Sequence, residues 1–393
     1  MGSRIILKKG KDQSLLRFHP WVFSGAIARI EGNPIEGDVV EVITAEGTLI
    51  GSGHYQIGSI TVRMLCFEPE KYTPDYWNKR ITEAYLVRKS LGLAGNPHTN
   101  SYRLIHGEGD GLPGLIVDIY DSTAVIQAHT VGMYKNRMAI AEAILAIPEA
   151  KITAIYDKSS TTVPFNAGLN AVDGYLVGES ISTWATENDL QFSIDWAEGQ
   201  KTGFFIDQRE NRMLLEKYSK GRNVLNMFCY SGAFSVYAMR GGANLVHSVD
   251  SSKRAIEFTN ANVEKNFGQD SRHEAFAEDV FNYFRKDEQK YNLMVLDPPA
   301  FAKHNKVLGN ALQGYKRLNT IAFLKIEPRS ILFTFSCSQV VTKEQFRNTI
   351  FTAAAIAGRK VRILHQLSQP GDHPINIYHP EGEYLKGLVV YVE

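Results

Sequence analysis

Two side chains in this sequence have the chemistry and the setting of reacting groups. Asp297 closes the apolar run Leu293-Met294-Val295-Leu296 and precedes Pro298-Pro299, and Cys337 lies forty residues further on, in Ser336-Cys337-Ser338. Each follows a run short and apolar enough to be a buried strand. The two prolines fix a rigid loop and point Asp297 out of the carboxyl edge of a sheet, where open α/β sheets bind ligands. Cys337 follows Ile331 to Phe335 and so falls at a comparable strand end. On position alone, such a cysteine is a small core residue more often than a nucleophile.

A ligand for that edge is suggested upstream. The apolar stretch Val224 to Met227 runs into the turn Ser231-Gly232-Ala233 and then into a helix that stops at Gly241-Gly242. Gly232 lets the backbone approach a ligand, and the helix start offers unpaired N–H groups. Eighteen residues after Gly232, a second strand, Leu245 to Val249, ends in Asp250, a spacing suited to accepting hydrogen bonds from a ribose diol. The turn has one glycine where a dinucleotide fingerprint has three, so no pyrophosphate cradle is expected, and S-adenosylmethionine fits better than NAD. Any buried βαβ unit can carry a glycine turn and a terminal acid, so this pair alone is a weak signal.

The elements that position these residues alternate strand and helix from about Trp184 onward, with strands near 224, 245, 274, 293, 331, 361 and 387. That pattern predicts an α/β doubly wound sheet. Before it, Met1 to Phe67 shows short alternating apolar runs broken by Gly and Pro, which are strand signals. A helix is expected over Tyr76 to Leu91. The middle segment combines strand patterns with a helix around Lys135 to Ile147 and reads as a small α+β domain.

In order, GQKTGFFIDQRENR (Gly199 to Arg212), NMFCYSGAF (Asn226 to Phe234), Asp250, LDPPAFAK (Leu296 to Lys303), FSCSQ (Phe335 to Gln339), DHP and PEGEYLKG resemble one family. It is the class I S-adenosylmethionine-dependent methyltransferases of bacteria and archaea that make 5-methylcytosine in large-subunit ribosomal RNA. The resemblance covers nearly the whole chain. Two departures from general methyltransferase patterns stand out: the first loop lacks G-x-G, and DPP replaces the NPPY-like motif of enzymes that methylate exocyclic amines. The resemblance implies a seven-stranded Rossmann-like methyltransferase domain over 184–393, a small β-barrel PUA domain over 1–70 and an α+β domain over 71–183.

It also implies roles. Cytosine C5 is too electron-poor to attack a methyl sulfonium directly, so a thiolate, here Cys337, first adds at C6 and later leaves by elimination. Asp297, protonated or hydrogen-bonded toward N3, would stabilise the charge developing on the ring. The base that removes the C5 proton is left unassigned. Expected cofactor-binding residues are Phe205, Asp207, Asn226, Phe228, Tyr230, Ser231, Gly232, Asp250, Ser251, Asp279, Asp297 and Pro298, with Phe205 and Asp207 closing over the methionine end. Asp207 can alternatively cap a helix whose arginines stay in solvent, and Asp279 is nearly as good a helix cap. Cys229 is expected to be wall and Cys66 core. For RNA, the candidates are Lys8, Lys9, Lys11, Arg17, His19 and Trp21, with Arg209 on a phosphate of the target strand. Trp21 and Phe23 can equally be barrel core and the lysines a solvated face. His373 and His379 are expected beside the RNA or in surface loops.

Composition agrees. The chain has 393 residues, 44% hydrophobic and 22% charged, enough for two or three packed domains. A net charge of +1 excludes a non-specific basic coat protein, so RNA contacts must come from local patches. The three cysteines form no C-x-x-C pair, and the histidine spacings fit no zinc signature, so no metal is expected. No signal peptide, membrane span or myristoylation motif is recognisable, and a cytoplasmic protein is expected. Unstacking a base costs a few kcal/mol, which favours naked or immature ribosomal RNA as partner; a homodimer is compatible with the sequence. Two other readings stay open: a guanine or other base methyltransferase in which Cys337 is a bystander, and a catalytically silent RNA-binding assembly factor.

Overall fold

The computed structural model describes residues 2–164, 168–180, 182–302 and 304–393; Lys303 of the DPPAFAK stretch lies outside them. The chain forms two compact units. The first comprises Met1–Asn188, Ile194–Ile206 and Gly371–Gly382, and the second Asp189–Ser193, Asp207–Pro370 and Glu383–Glu393.

The first unit opens with β1 (Arg4–Leu7), β2 (Trp21–Phe23), β3 (Ile27–Glu31), β4 (Val39–Ile43), β5 (Leu49–Tyr55) and β6 (Ile60–Phe67). They make a six-stranded sheet in the order β2-β6-β5-β4-β1-β3. Alternation along the strands puts Ile5, Leu7, Val22, Val40, Val42, Val62 and Met64 into one core, as the period of two requires. Next come α1 (Tyr76–Ser90), β7 (Ser101–His106), β8 (Leu115–Tyr120), β9 (Thr123–Ala128), α2 (Val131–Lys135), α3 (Arg137–Leu145), β10 (Ala154–Asp157), β11 (Gly174–Val177) and β12 (Trp184–Glu187). Strands β7 to β11 form a sheet in sequence order, antiparallel except for β9 beside β10. The helix expected around 135–147 is α3, and the shorter α2 precedes it. Asn136 separates them, its side-chain amide donating to the Gly132 carbonyl at 2.8 Å, a local bond that competes with the helical ladder.

The stretch Gly371–Gly382 is fastened into this unit by buried ionic groups. Arg88, fully buried, donates to both Asp110 oxygens at 2.5 and 2.8 Å and to the Asp372 carbonyl at 2.8 Å. Asp372 Oδ2 accepts the Arg103 backbone N–H at 3.0 Å. Removing one partner from such a network leaves a buried charge uncompensated.

The second unit begins at β13 (Leu190–Ser193) and continues through α4 (Arg209–Ser219), β14 (Asn223–Met227), α5 (Ala233–Arg240), β15 (Leu245–Asp250), α6 (Lys253–Phe267), β16 (His273–Ala277) and α7 (Val280–Lys286). Then follow β17 (Leu293–Leu296), α8 (Leu308–Lys325), β18 (Ser330–Ser336), α9 (Lys343–Ile356), β19 (Val361–Leu367) and β20 (Lys386–Val392). The seven-stranded sheet has the order β16-β15-β14-β17-β18-β20-β19, with strands at all seven expected places. Strand β20 runs antiparallel to both neighbours. Strands β17 and β18 are buried along their whole length, as central strands covered on both faces should be. Helix α9 starts with a capping box between Thr342 and Gln345, which satisfies two of its orphan backbone donors. The strand order reverses at β14, flanked by β15 and β17, and ligands of such sheets lie outside the carboxyl ends at that switch point. Among the described residues, no helix is long and apolar enough to cross a membrane.

Candidate active site

The loop after β14 is held in an uncommon backbone conformation. Phe228 (φ 59°), Tyr230 (φ 46°) and Gly232 (φ 69°) all lie in the left-handed region, which costs roughly 1 kcal/mol or more at a non-glycine residue. Its surroundings enforce it. The Tyr230 backbone N–H donates to Asp250 Oδ2 at 3.0 Å, Thr259 Oγ1 donates to the Tyr230 carbonyl at 3.0 Å, and Asn262 Nδ2 donates to the Ser231 carbonyl at 2.8 Å. At Gly232 a Cβ would come within 2.5 Å of Thr259 Cγ2, so no other residue fits without displacing α6. Asp250 also accepts the Ser252 backbone N–H through Oδ1 at 2.9 Å. Each of its oxygens keeps a lone pair for a further donor.

Asn226, at the end of β14, is 1% exposed. Its Nδ2 donates to Ser235 Oγ at 2.9 Å, and Ser235 Oγ lies 2.6 Å from Ser248 Oγ. Asn226 Oδ1 is buried with no partner, a vacancy that a ligand donor can fill.

At the end of β17, Asp297 is half-buried and its Oδ2 accepts from Gln208 Nε2 at 3.0 Å. Gln208 is itself positioned by Asn211, whose Nδ2 donates to Gln208 Oε1 at 2.6 Å. Burial, reinforced by the neighbouring Asp207 carboxylate, pushes the Asp297 pKa up to about 7, with Gln208 and Arg212 opposing. Asp207 Oδ2 accepts from the Tyr384 hydroxyl at 2.6 Å, and its Oδ1 is buried without a partner. Asp207 does not cap α4: it lies in a short 3-10 turn, and Gln208 occupies the cap position without a side-chain bond. Nor are the arginines in solvent. Arg209 is 3% exposed and Arg212 1%, so an Arg209 contact to a phosphate would require it to leave its site.

Cys337, just past β18, is half-buried, and its thiol donates to the Pro298 carbonyl at 3.8 Å. The parallel register of β17 and β18 therefore joins the cysteine loop to the Asp-Pro-Pro loop. Beneath it, the Tyr315 hydroxyl lies 2.9 Å from Ser338 Oγ. Lys386 Nζ donates to the carbonyls of Ser338 and Val341, both at 2.8 Å. Cys229 is different. Burial pushes its thiol up to about 12, against a contact with Thr259 Oγ1 at 3.6 Å. Cys66 is 1% exposed, in the core.

Of the remaining predicted residues, Ser251 and Pro298 adjoin Asp250 and Asp297 in the chain. Ser251 is exposed beside Ser252, the cap of α6. Asp279 caps α7, its Oδ1 accepting from the Asn282 N–H at 3.0 Å. Pro298 is buried. Phe205 belongs to the first unit. There, Lys9, Lys11 and Arg17 are exposed, and Lys8 donates to the Gly25 carbonyl at 3.0 Å. Trp21 is half-buried, its indole N–H donating to Glu108 Oε1 at 2.8 Å. His373 and His379 are not in surface loops: they are 2% and 3% exposed, because Gly371–Gly382 packs into the first unit. His379 lies against Trp21, ring centroids 4.3 Å apart.

Among the described residues, one group could approach a metal: His19, His379 and Glu381, with ligand atoms within 4.8 Å of one another. His19 Nδ1 already accepts the Trp21 backbone N–H at 3.2 Å. Its Nε2 lies 3.7 Å from Glu381 Oε1.

The chain matches the S-adenosylmethionine-dependent methyltransferase family over residues 163–359 and the PUA-like domain over 5–67. Ribosomal RNA large subunit methyltransferase I of Aeromonas hydrophila is 39% identical over 99% of this chain and 99% of its own length. The protein of the same name from Escherichia coli O139:H28 is 37% identical over the full length of both. The chain belongs to the ribosomal RNA large subunit methyltransferase I family.

Its cofactor is accordingly S-adenosylmethionine. The loop fits that molecule: a glycine without room for a Cβ, an unpartnered Asn226 oxygen and an acceptor at Asp250 suit a phosphate-free nucleoside. Two solved structures share the fold. One, described as SMU.776 complexed with SAH, aligns with a TM-score of 0.84 over 99% of this chain and 100% of that one, at 24% identity. Another, described as a SAM-dependent methyltransferase from Streptococcus mutans, gives 0.83 over 99% and 100%, at 22%.

Sequence reasoning missed Gln208, Tyr384 and Lys386 as members of the site. All three fall inside quoted motifs, IDQREN and EGEYLKG, but their partners are distant in sequence, so no local spacing could pair them.

Proposed function

We propose that this enzyme forms 5-methylcytosine in large-subunit ribosomal RNA through a covalent adduct between Cys337 and cytosine C6. The observation that carries the reading is the approach of the Cys337 thiol to the Pro298 carbonyl, one residue from a carboxyl whose pKa is raised to about 7. A nucleophile and an acid near neutrality then lie in neighbouring loops at adjacent strand ends.

The Cys337 thiolate forms a C–S bond at C6, and the electron pair of the C5–C6 double bond moves into the ring. Asp297 in its acid form donates toward N3, where charge accumulates; an acid matched to the working pH is most effective at this. S-adenosylmethionine, when bound, supplies the electrophilic methyl group that C5 takes. Loss of the C5 proton to a base then restores the double bond and expels the Cys337 thiolate. Asp250 is placed to accept from ribose hydroxyls, Gly232 to let the backbone approach the nucleoside, and Asn226 and Asp207 to receive its polar groups. Lys8, Lys9 and Arg17 supply local positive charge for the RNA.

Incubation with unmodified 23S ribosomal RNA and S-adenosylmethionine, followed by nucleoside mass spectrometry, tests the reading. New 5-methylcytidine with wild type, and none with Cys337→Ala, is expected. A methylated guanine, or full activity of Cys337→Ala, would make Cys337 a bystander.

A further inference from the structure

We infer that Lys386 is a positioning residue for Cys337: its buried ammonium stabilises the thiolate and fixes the loop that presents it. The inference rests on the reading of Cys337 as nucleophile. Its basis is where the lysine sits. Strand β20 pairs with β18 in a register that sets Lys386 opposite Ser336, the residue before the cysteine. From there the side chain reaches the carbonyls of Ser338 and Val341, so Lys386 holds the chain on either side of Cys337.

A lysine is rarely this buried, 4% exposed, without a carboxylate partner. Among the described residues, the acceptors of its ammonium are two neutral carbonyls. Burial lowers its pKa to about 8, and among the influences opposing that fall the Cys337 charge comes first, ahead of Glu383. Lys343, Glu383 and Tyr315 also act on one or other of this pair. Lys343 of α9 and Glu383 form an ion pair with each other and largely cancel. Tyr315 of α8 has its phenol pushed up by burial, with Cys337 adding to the shift, so it stays neutral. A Cys337 thiolate and the Lys386 ammonium therefore stabilise each other.

Thiolate chemistry requires such a setting, because an ordinary cysteine is only a few per cent ionised at neutral pH. A neighbouring opposite charge can shift a pKa by about 1 to 3 units. Removing it at pH 7 should therefore cut the thiolate fraction at least about tenfold.

The test is pulsed iodoacetamide labelling of the full-length protein between pH 5.5 and 10, with no RNA or cofactor, reading the Cys337 peptide by mass spectrometry. Lys386→Gln keeps amide donors for the two carbonyls and removes the charge. Its labelling midpoint is expected about one unit or more above wild type, while Lys386→Arg stays near wild type. Buried Cys66 and Cys229 report unfolding in the same digest. An unchanged midpoint in a Lys386→Gln protein whose Cys66 and Cys229 stay unreactive overturns the inference.

Should Lys386→Gln unfold, the reciprocal measurement decides, since coupling acts equally on both partners. The Lys386 ammonium, followed by carbon NMR at Cε, must titrate at lower pH in Cys337→Ala than in wild type; an unchanged titration is contradictory. Neither measurement involves methyl transfer. A shifted midpoint in a protein that makes no 5-methylcytidine would uphold the pair and sink the proposed reaction.

Discussion

Gln208 Nε2 donates to Asp297 Oδ2 at 3.0 Å, and the residue before Gln208 is the carboxylate that, after burial, most raises the Asp297 pKa. One short turn thus orients the Asp297 carboxyl and, through Asp207, adds to the upward push that burial gives its pKa. With a folded pKa of about 7 against an ordinary 3.8, the folded protein binds this proton more tightly than the unfolded chain. The contribution to stability is complete below pH 3.8 and is lost as pH rises to about 7. Asp297→Asn, which cannot ionise, should therefore melt at a higher temperature than wild type at pH 8. The gain should shrink as pH falls toward 4, by scanning fluorimetry. The same variant should lose about 10²- to 10⁴-fold in methyl transfer.

Wild-type methyl transfer should decline on the alkaline side as Asp297 ionises. Single-turnover rates from pH 6 to 9 are expected to show a limb near pH 7, and that limb should be absent from the residual activity of Asp297→Asn.

The two cysteines of the second unit, Cys229 and Cys337, should separate by function. Cys229, pushed up to about 12 by burial, cannot be a thiolate at neutral pH, so Cys229→Ser should keep the rate within a few-fold. Cys337→Ala should abolish product while binding S-adenosylmethionine with wild-type affinity, as read by calorimetry.

Gly232→Ala places a methyl group 2.5 Å from Thr259 Cγ2 at a φ of +69°. The loop or α6 must shift. Stability should fall by about 1 to 3 kcal/mol, and S-adenosylmethionine affinity at least about tenfold.

Replacing Lys8, Lys9 and Arg17 together by alanine should weaken RNA binding without changing cofactor affinity. If each neutralises one phosphate, the slope of log affinity against log salt should drop by roughly 2 to 3. An unchanged slope would mean that these cations form a solvated face.

Much of the second unit was legible because parallel strands buried on both faces announce themselves as apolar runs, and chemistry gathers where they end. Asp250, Asp297 and Cys337 could be placed that way. The ordering of the last two strands was less visible, and with it Lys386, whose role depends on β20 lying beside β18 rather than on any spacing. The first unit hid two things. Asn136 sets the short α2 off from α3 through a side-chain bond that no periodicity registers. Gly371–Gly382 leaves the methyltransferase sequence and folds against Arg88 and Arg103, which turned two histidines expected at the surface into buried ones. Asp207 resembled a helix cap because the turn before α4 looks like one locally, whereas its partner, Tyr384, lies 177 residues away.

The covalent adduct is tested most directly with 23S ribosomal RNA containing 5-fluorocytidine. Fluorine at C5 removes the proton needed for elimination, so methyl transfer should strand the RNA on the enzyme. Wild type is predicted to form a denaturation-resistant complex only when S-adenosylmethionine is present, with the linkage on the Cys337 peptide, and Cys337→Ala none. Methylation of unsubstituted RNA with no trapped complex on the fluorinated one, or a linkage at another cysteine, would contradict the account.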